Sequence, residues 1–301
     1  MLATSAFGMT GAGAAEPQRL AVVASFSILG DLARQIGGDR ITVTDIIGPN
    51  RDAHGFEPSP ADARKLAGAR LVLVNGLGFD NFIDKLMKAA GNPARVVTVS
   101  SGLPLLRKAA EKPDHGHGHS HAGGKAKDDP HLWQSPANVR QMARTIAAAF
   151  SAADEAGKAT YDANLAAFLA RLDVLDQEFR TAIARIPEAR RTFATNHDAF
   201  GYLAREYGLT IHAIQGVSPH AEASAADLAR IIRQLKAAKA PAVFLENVTD
   251  SRAVARIARE SGAKVGGTLY SDALSLADGP APSYIDLMRH NMKEIAAALA
   301  P

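Results

Sequence analysis

The stretch RLAVVASFSILGDLARQIGGDRITVTDII, residues 19–47, decides the fold. Its opening, Arg19 to Ala24, is a short apolar run with the length of a buried strand. From Ile28 to Ile36 apolar residues return every three or four positions, as one face of a helix requires, and Gly37-Gly38 stops the pattern. Ile41 to Ile47 is rich in β-branched residues and reads as a second strand. Two buried strands with a helix between them form a parallel βαβ unit, because a parallel partner needs a crossover to carry the chain back.

The same alternation continues outward. Gly48 to Pro58 is a turn-rich loop that holds His54. A helix starts after Ser59, with Ser59 at N-cap, Pro60 in the first helical position and Asp62 placed to reach back to the cap. Leu71 to Val74 and Arg95 to Val99 are further strands, and Pro136 to Phe150 is helical. The longest helical pattern runs from Lys158 to Ile186 and repeats Leu165, Phe168, Leu172, Leu175, Phe179, Ile183 and Ile186 before Pro187 ends it. At ~1.5 Å per residue this helix is ~43 Å long, more than one domain needs. Strands then resume at Thr192 to Thr195, Thr210 to Ile214, Pro241 to Glu246 and Lys264 to Gly267. The expected fold is α/β, with two lobes, each a parallel-sheet βα domain, joined by one long rigid backbone helix. The expected divisions are an N-terminal lobe over 18–150, the linking helix over 151–187 and a C-terminal lobe over 188–301. A chain of 301 residues suits two domains of about 150 each.

Residues 1–17 begin with a small, apolar, uncharged run in which Ala12-Gly13-Ala14 is similar to a secretory cleavage site. They are read as a leader remnant, pointing to export. No apolar run approaches the ~20 residues that cross a bilayer.

Composition narrows the chemistry. The chain has ten histidines and no cysteine, so disulfides and thiol catalysis are excluded. A tight soft-metal site must then use imidazole and carboxylate, and imidazole suits zinc, copper, nickel and iron. A net charge of only +3, with scattered basic residues and 6% aromatics, argues against a nucleic-acid surface. His115, His117, His119 and His121 crowd into a glycine-spaced run inside 111–128, a polar segment too poor in apolar residues to order itself and read as a mobile loop. Three readings of this loop stand: capture of dilute metal for transfer inward, docking of a donor metallochaperone, or weak incidental binding.

Four other metal-ligand residues sit just after strands or in strand-to-helix loops: His54, His131, His197 and Asp272. In open parallel sheets, ligands bind beyond the carboxyl ends of the strands, so four loops from two lobes can meet at one cleft. Three imidazoles and one carboxylate make a tetrahedral set that zinc accepts. Glu57, Asp129 and Asp198 lie close in sequence to their respective histidines, and Glu246 ends a strand facing the same cleft. The first three are candidates to receive the second ring N–H of a metal-bound imidazole, with ordinary caps or surface charges as the alternative; Glu246 either orders a ligand or sits near the metal without binding it.

The stretches GPNRDAHGFEPSPADARKLAGARLVLVNGLGFD (48–80), DDPHLWQSPANV (128–139), TNHDAFGYLAREYGL (195–209) and LYSDALS (269–275) resemble the cluster A-I metal-binding proteins of ATP-binding-cassette importers. The resemblance spans residues 19–301 and puts His54, His131, His197 and Asp272 on the four metal-ligand positions. It implies a non-enzymatic, periplasmic or otherwise extracytoplasmic monomer that binds one Zn(II) tightly, with weaker binding at the His-rich loop. The implied partner is an inner-membrane importer permease; whether zinc arrives free or from a periplasmic metallochaperone stays open with the readings of the loop. Histidine at the third ligand position is the zinc-type choice; manganese-type relatives carry a carboxylate there. Asp80 departs from the glutamate common after the glycine-rich turn. Rival readings are a manganese or iron carrier on the same scaffold, and a zinc hydrolase. Against the hydrolase, the sequence has no HExxH helix and no paired-histidine motif of the kind that marks metallohydrolases; were Asp272 not a ligand, Glu246 would be its candidate base.

Overall fold

The computed structural model describes residues 19–108, 127–217, 224–248 and 252–301. The expectations for the leader and for His115, His117, His119 and His121 fall outside these residues.

In the N-terminal half, β1 (Leu20–Phe26) leads into α1 (Ser27–Gly37), β2 (Ile41–Ile47), α2 (Pro60–Leu66), β3 (Leu71–Val74), α3 (Phe82–Ala90) and β4 (Arg95–Thr98). These strands pair in parallel in the order β2-β1-β3-β4. A short antiparallel hairpin follows, β5 (Arg107–Lys108) with β6 (Lys127–Asp128). Lys127 and Asp128 therefore belong to paired backbone, not to the loop expected over 111–128. Asp129 N–H extends the pairing by donating to Leu106 C=O at 2.8 Å. Next come α4 (Pro136–Ala153) and α5 (Lys158–Ala184).

The second half repeats the pattern: β7 (Thr192–Thr195), α6 (Gly201–Tyr207), β8 (Thr210–Ala213), α7 (Ala225–Ala237), β9 (Ala242–Glu246), α8 (Arg252–Ser261), β10 (Lys264–Leu269) and α9 (Tyr284–Leu299). Its sheet is also parallel, in the order β10-β9-β7-β8. The two-lobed α/β fold is as expected.

Helix α5 runs for 27 residues, and Phe168, Leu172, Leu175, Phe179 and Ile183 along its apolar stripe are buried. The helix packs on α1 and α4 from the first lobe and on α6 and α9 from the second. The helix is not the only link between lobes. One continuous apolar core includes Val22 and Val72 of the first sheet, Phe168 of α5, and Phe193 and Phe244 of the second sheet. Among the described residues, one face of the second sheet has its own small core, with Leu228, Ile231 and Leu235 of α7 and Ile257 of α8. Shared packing of this kind opposes wide separation of the lobes.

In each sheet the strand order reverses beside the first strand of that half. β1 has β2 on one side and β3 on the other; β7 has β8 and β9. The crevice at such a reversal, beyond the carboxyl ends of the strands, is where α/β sheets take ligands.

Candidate metal centre

Each of the four expected residues lies in a segment that follows a strand. His54 lies in the loop between β2 and α2, which ends in a reciprocal cap. Ser59 Oγ accepts from Asp62 N–H, and an Asp62 carboxylate oxygen accepts from Ser59 N–H at 3.0 Å. His131 follows β6. His197 is two residues beyond β7, and Asp272 three residues beyond β10. Ligand atoms from all four lie within 4.8 Å of one another, the one group of this kind among the described residues.

The distances define a small polyhedron. His54 Nε2 and His131 Nε2 are 3.3 Å apart. Asp272 Oδ2 lies 3.3 Å from His54 Nε2 and 3.1 Å from His197 Nε2, and Asp272 Oδ1 lies 3.6 Å from His131 Nε2. A tetrahedron with metal–ligand bonds of ~2.0–2.1 Å has edges of ~3.3 Å, so these spacings fit an ion at the centre. His131, His197 and Asp272 have no exposed surface, and the His54 side chain is 4% exposed. Both Asp272 oxygens and both His197 ring nitrogens are buried without an aligned hydrogen bond. A buried carboxylate left in that state is expensive, and a cation between the four groups resolves the deficit.

The electrostatics point the same way. Burial alone pulls the His197 imidazole down, but the carboxylates of Glu246 and Asp272 outweigh it and push His197 well above its usual value. Burial alone lifts the Asp272 carboxyl, but His197 and His131 beside it hold it well below the usual carboxylate range. The site therefore favours a positive charge on the imidazole side of Asp272.

Two of the four expected supporting carboxylates stand behind imidazoles. Asp129 Oδ1 is 2.7 Å from His131 Nδ1 and accepts from His131 N–H at 3.0 Å. Glu246 Oε2 is 2.5 Å from His197 Nδ1, and its Oε1 accepts from His197 N–H at 2.9 Å. These contacts leave Nε2 of each ring facing the centre, the arrangement that metal-bound histidines use. The other two differ from expectation. Glu57 is exposed, and Asp52 is the carboxylate that accepts from His54 N–H, at 2.8 Å. Asp198 turns away from His197 and accepts from Lys108 Nζ at 2.7 Å. Adjacency in sequence misleads there because Glu246, from the neighbouring strand, already fills the space behind the ring.

Several supports were not visible as site residues in the sequence. Asp80 is buried and accepts from Ser25 Oγ at 2.7 Å, Asn75 N–H at 2.5 Å and Gly76 N–H at 2.9 Å. The turn it closes runs through left-handed backbone at Gly76, Leu77 and Gly78, with φ of 84°, 57° and 83°. Glycine at both flanks lets it form. The turn presents Asn75, whose side-chain amide donates to Pro130 C=O at 3.0 Å and so steadies the residue before His131. Phe79 and Trp133 stand edge-on to His54 and His131, with ring centroids 5.0 and 5.4 Å away. They form an apolar wall that excludes water.

The loop bearing Asp272 is tied to the first lobe. Trp133 Nε1 and Gln134 Nε2 both donate to Ser271 C=O at 2.7 Å. Leu274 N–H donates to Ser27 Oγ at 3.1 Å, and Asn50 N–H donates to Leu274 C=O at 2.8 Å. A residue encoded near the end of the chain is thus fastened to the beginning.

A family model described as the periplasmic zinc-uptake complex component A, ZnuA, matches residues 22–298. The manganese-binding lipoprotein MntA of Halalkalibacterium halodurans is 30% identical over 281 residues, covering 93% of this chain and 89% of its own. The iron-binding protein YfeA of Yersinia pestis is also 30% identical over 281 residues, covering 93% and 86%. Among solved structures, the periplasmic zinc-binding protein TroA of Treponema pallidum superposes with a TM-score of 0.83 at 26% identity, covering 94% of this chain and all of its own.

Proposed function

The chain belongs to the ZnuA family of extracytoplasmic metal-binding proteins that serve ATP-binding-cassette importers, and on that premise we propose that its cargo is Zn(II), held by His54, His131, His197 and Asp272 and handed to an inner-membrane permease. The observation that carries this reading is the set of short Nε2–Nε2 and Nε2–carboxylate distances, 3.1–3.6 Å, around one buried point. Relatives named for manganese and iron leave the ion to be argued from the donors. Three nitrogens and one carboxylate favour zinc: at a given site Mn²⁺ and Fe²⁺ bind more weakly than Zn²⁺, and manganese prefers oxygen ligands.

Carriage needs no chemistry on the ion. Four protein ligands close a tetrahedral site, whereas a catalytic zinc keeps one position for water with a base beside it. Glu246, the acid that a hydrolase would use as base, is occupied at both oxygens by His197. Asp129 and Glu246 orient His131 and His197, and the Phe79–Trp133 wall keeps water away.

The test is competition. Purified protein stripped of metal is titrated with zinc against a chromogenic chelator, alone and in excess manganese or iron(II). Zinc preference by orders of magnitude supports the proposal; equal or stronger manganese binding overturns the ion assignment while leaving the carrier function.

A further inference from the structure

Lys108 stands at a place that the metal-carrier reading does not explain. It lies on β5, at the stem of the two-stranded hairpin, and its side chain is 21% exposed. Its Nζ donates to Asp198 Oδ1 at 2.7 Å and lies 3.5 Å from Asp129 Oδ2. Asp129 Oδ2 is buried with no hydrogen-bond donor among the described residues, and the Lys108 ammonium faces it. The other oxygen of the same carboxylate holds His131. Asp198 directly follows His197 and is carried by the second lobe. One ammonium therefore bridges the carboxylate behind a ligand of the first lobe and the residue next to a ligand of the second.

The surroundings are shaped for this bridge. At Gly201, the first residue of α6, a Cβ would stand 2.7 Å from Lys108 Nζ and 2.9 Å from Asp129 Oδ2. Any larger residue would fill the space that the ammonium crosses. The next residue, Tyr202, donates its hydroxyl to Asp129 C=O at 2.9 Å and accepts from Leu106 N–H at 3.0 Å. The hairpin stem, Asp129 and the start of α6 are thereby joined across the lobe boundary.

We propose that Lys108 is a positioning residue that straps the lobes together around the bound ion, through Asp129 on one side and Asp198 on the other. The inference rests on the metal-carrier reading above. Release that parts His197 from His131 must break the strap. Lys108 therefore acts on the rate of release without touching the ion. Asp198 is one-third exposed, so solvent weakens the pair and a moderate effect is expected.

The experiment measures zinc dissociation from the full chain by stopped flow against excess chelator. Lys108→Gln and Asp198→Asn are each expected to speed release about tenfold, the factor carried by ~1.4 kcal/mol. The double variant should release no faster than either single one, because both changes break the same bridge. Lys108→Arg, which keeps the charge, should retain slow release. Added salt should speed release from the wild type but not from Lys108→Gln, a response that a merely structural lysine does not give. Arg107→Gln, on the exposed side of the same strand, should behave as wild type. Gly201→Ala displaces the ammonium without removing it and should reproduce the fast release, which keeps the test decisive if Lys108→Gln fails to fold. Wild-type release rates in both Lys108→Gln and Gly201→Ala, or additive effects of Lys108→Gln and Asp198→Asn, would overturn the strap. A wild-type protein that fails to retain zinc would instead overturn the carrier reading on which it rests.

Discussion

Replacing Glu246 by glutamine separates support of the metal ligand from its shape. In the wild type, Oε1 accepts from His197 N–H at 2.9 Å and Oε2 stands 2.5 Å from Nδ1. With Nε2 turned to the ion, Nδ1 carries the ring proton, which faces the Glu246 carboxylate. Glutamine keeps the length and one carbonyl, so the backbone contact survives as a neutral hydrogen bond. The ring contact becomes a clash of donors unless the amide turns over, in which case the backbone contact is lost. Either way one charge-assisted contact, worth ~1.5–3 kcal/mol, disappears. Only the share that differs between the metal-bound and metal-free states reaches the affinity, so zinc binding should weaken by roughly 10–100-fold. The pH dependence gives the sharper reading. Glu246 also helps push His197 up, so the variant holds that proton less tightly. Wherever His197 is protonated in the wild type, zinc must displace the proton, and the wild type then loses more affinity than the variant. The affinity gap between the two should therefore narrow as pH falls. Competition titrations across a pH series measure it. Equal affinity at every pH, or a gap that widens on acidification, would refute this account of Glu246.

Zinc binding below the raised His197 value should release about one proton per ion from that residue, measured as the buffer-dependent part of the calorimetric heat. In the metal-free protein the His197–Asp272 pair should stabilise the fold most at a pH between the two shifted values. The His197 share is lost as pH rises through its raised value, and the Asp272 share as pH falls through its lowered one; thermal melts against pH follow both limbs. Trp133→Phe keeps an aromatic wall but removes the bond to Ser271 C=O, so zinc affinity should fall by about fivefold as the Asp272 loop loosens, read in the same competition titration. Phe168→Ala, in the buried stripe of α5, should lower unfolding free energy by ~3–5 kcal/mol in urea melts of the metal-free protein.

Much of the fold was legible because its signals are local. The stretch from Leu20 to Ile47 carries strand, helix and strand periods in sequence, and the α5 stripe from Phe168 to Ile183 repeats at helical spacing. The Ser59–Asp62 cap is readable for the same reason, since donor and acceptor are three residues apart. The continuous core was not legible, because which faces of two sheets merge depends on packing between segments far apart in the chain. The site divides along the same line. Ligand types after strand ends picked out His54, His131, His197 and Asp272 as a candidate set, and family resemblance strengthened it. Their supports followed sequence distance only by chance. Asp129 reaches back two residues to His131, but His197 takes its carboxylate from Glu246 on the adjacent strand, and Asp198 goes to Lys108. The parallel pairing of β7 with β9 brings the ends of those strands together, and only a register of paired strands could have foretold it.

The most direct test of the whole account is diffraction from zinc-loaded crystals with data on both sides of the zinc absorption edge. The account predicts one strong anomalous peak bonded to Nε2 of His54, His131 and His197 and to the Asp272 carboxylate, with no water among the ligands. A peak elsewhere, or an ion at this place with Asp272 withdrawn and a water bound beside a free acid, would contradict it.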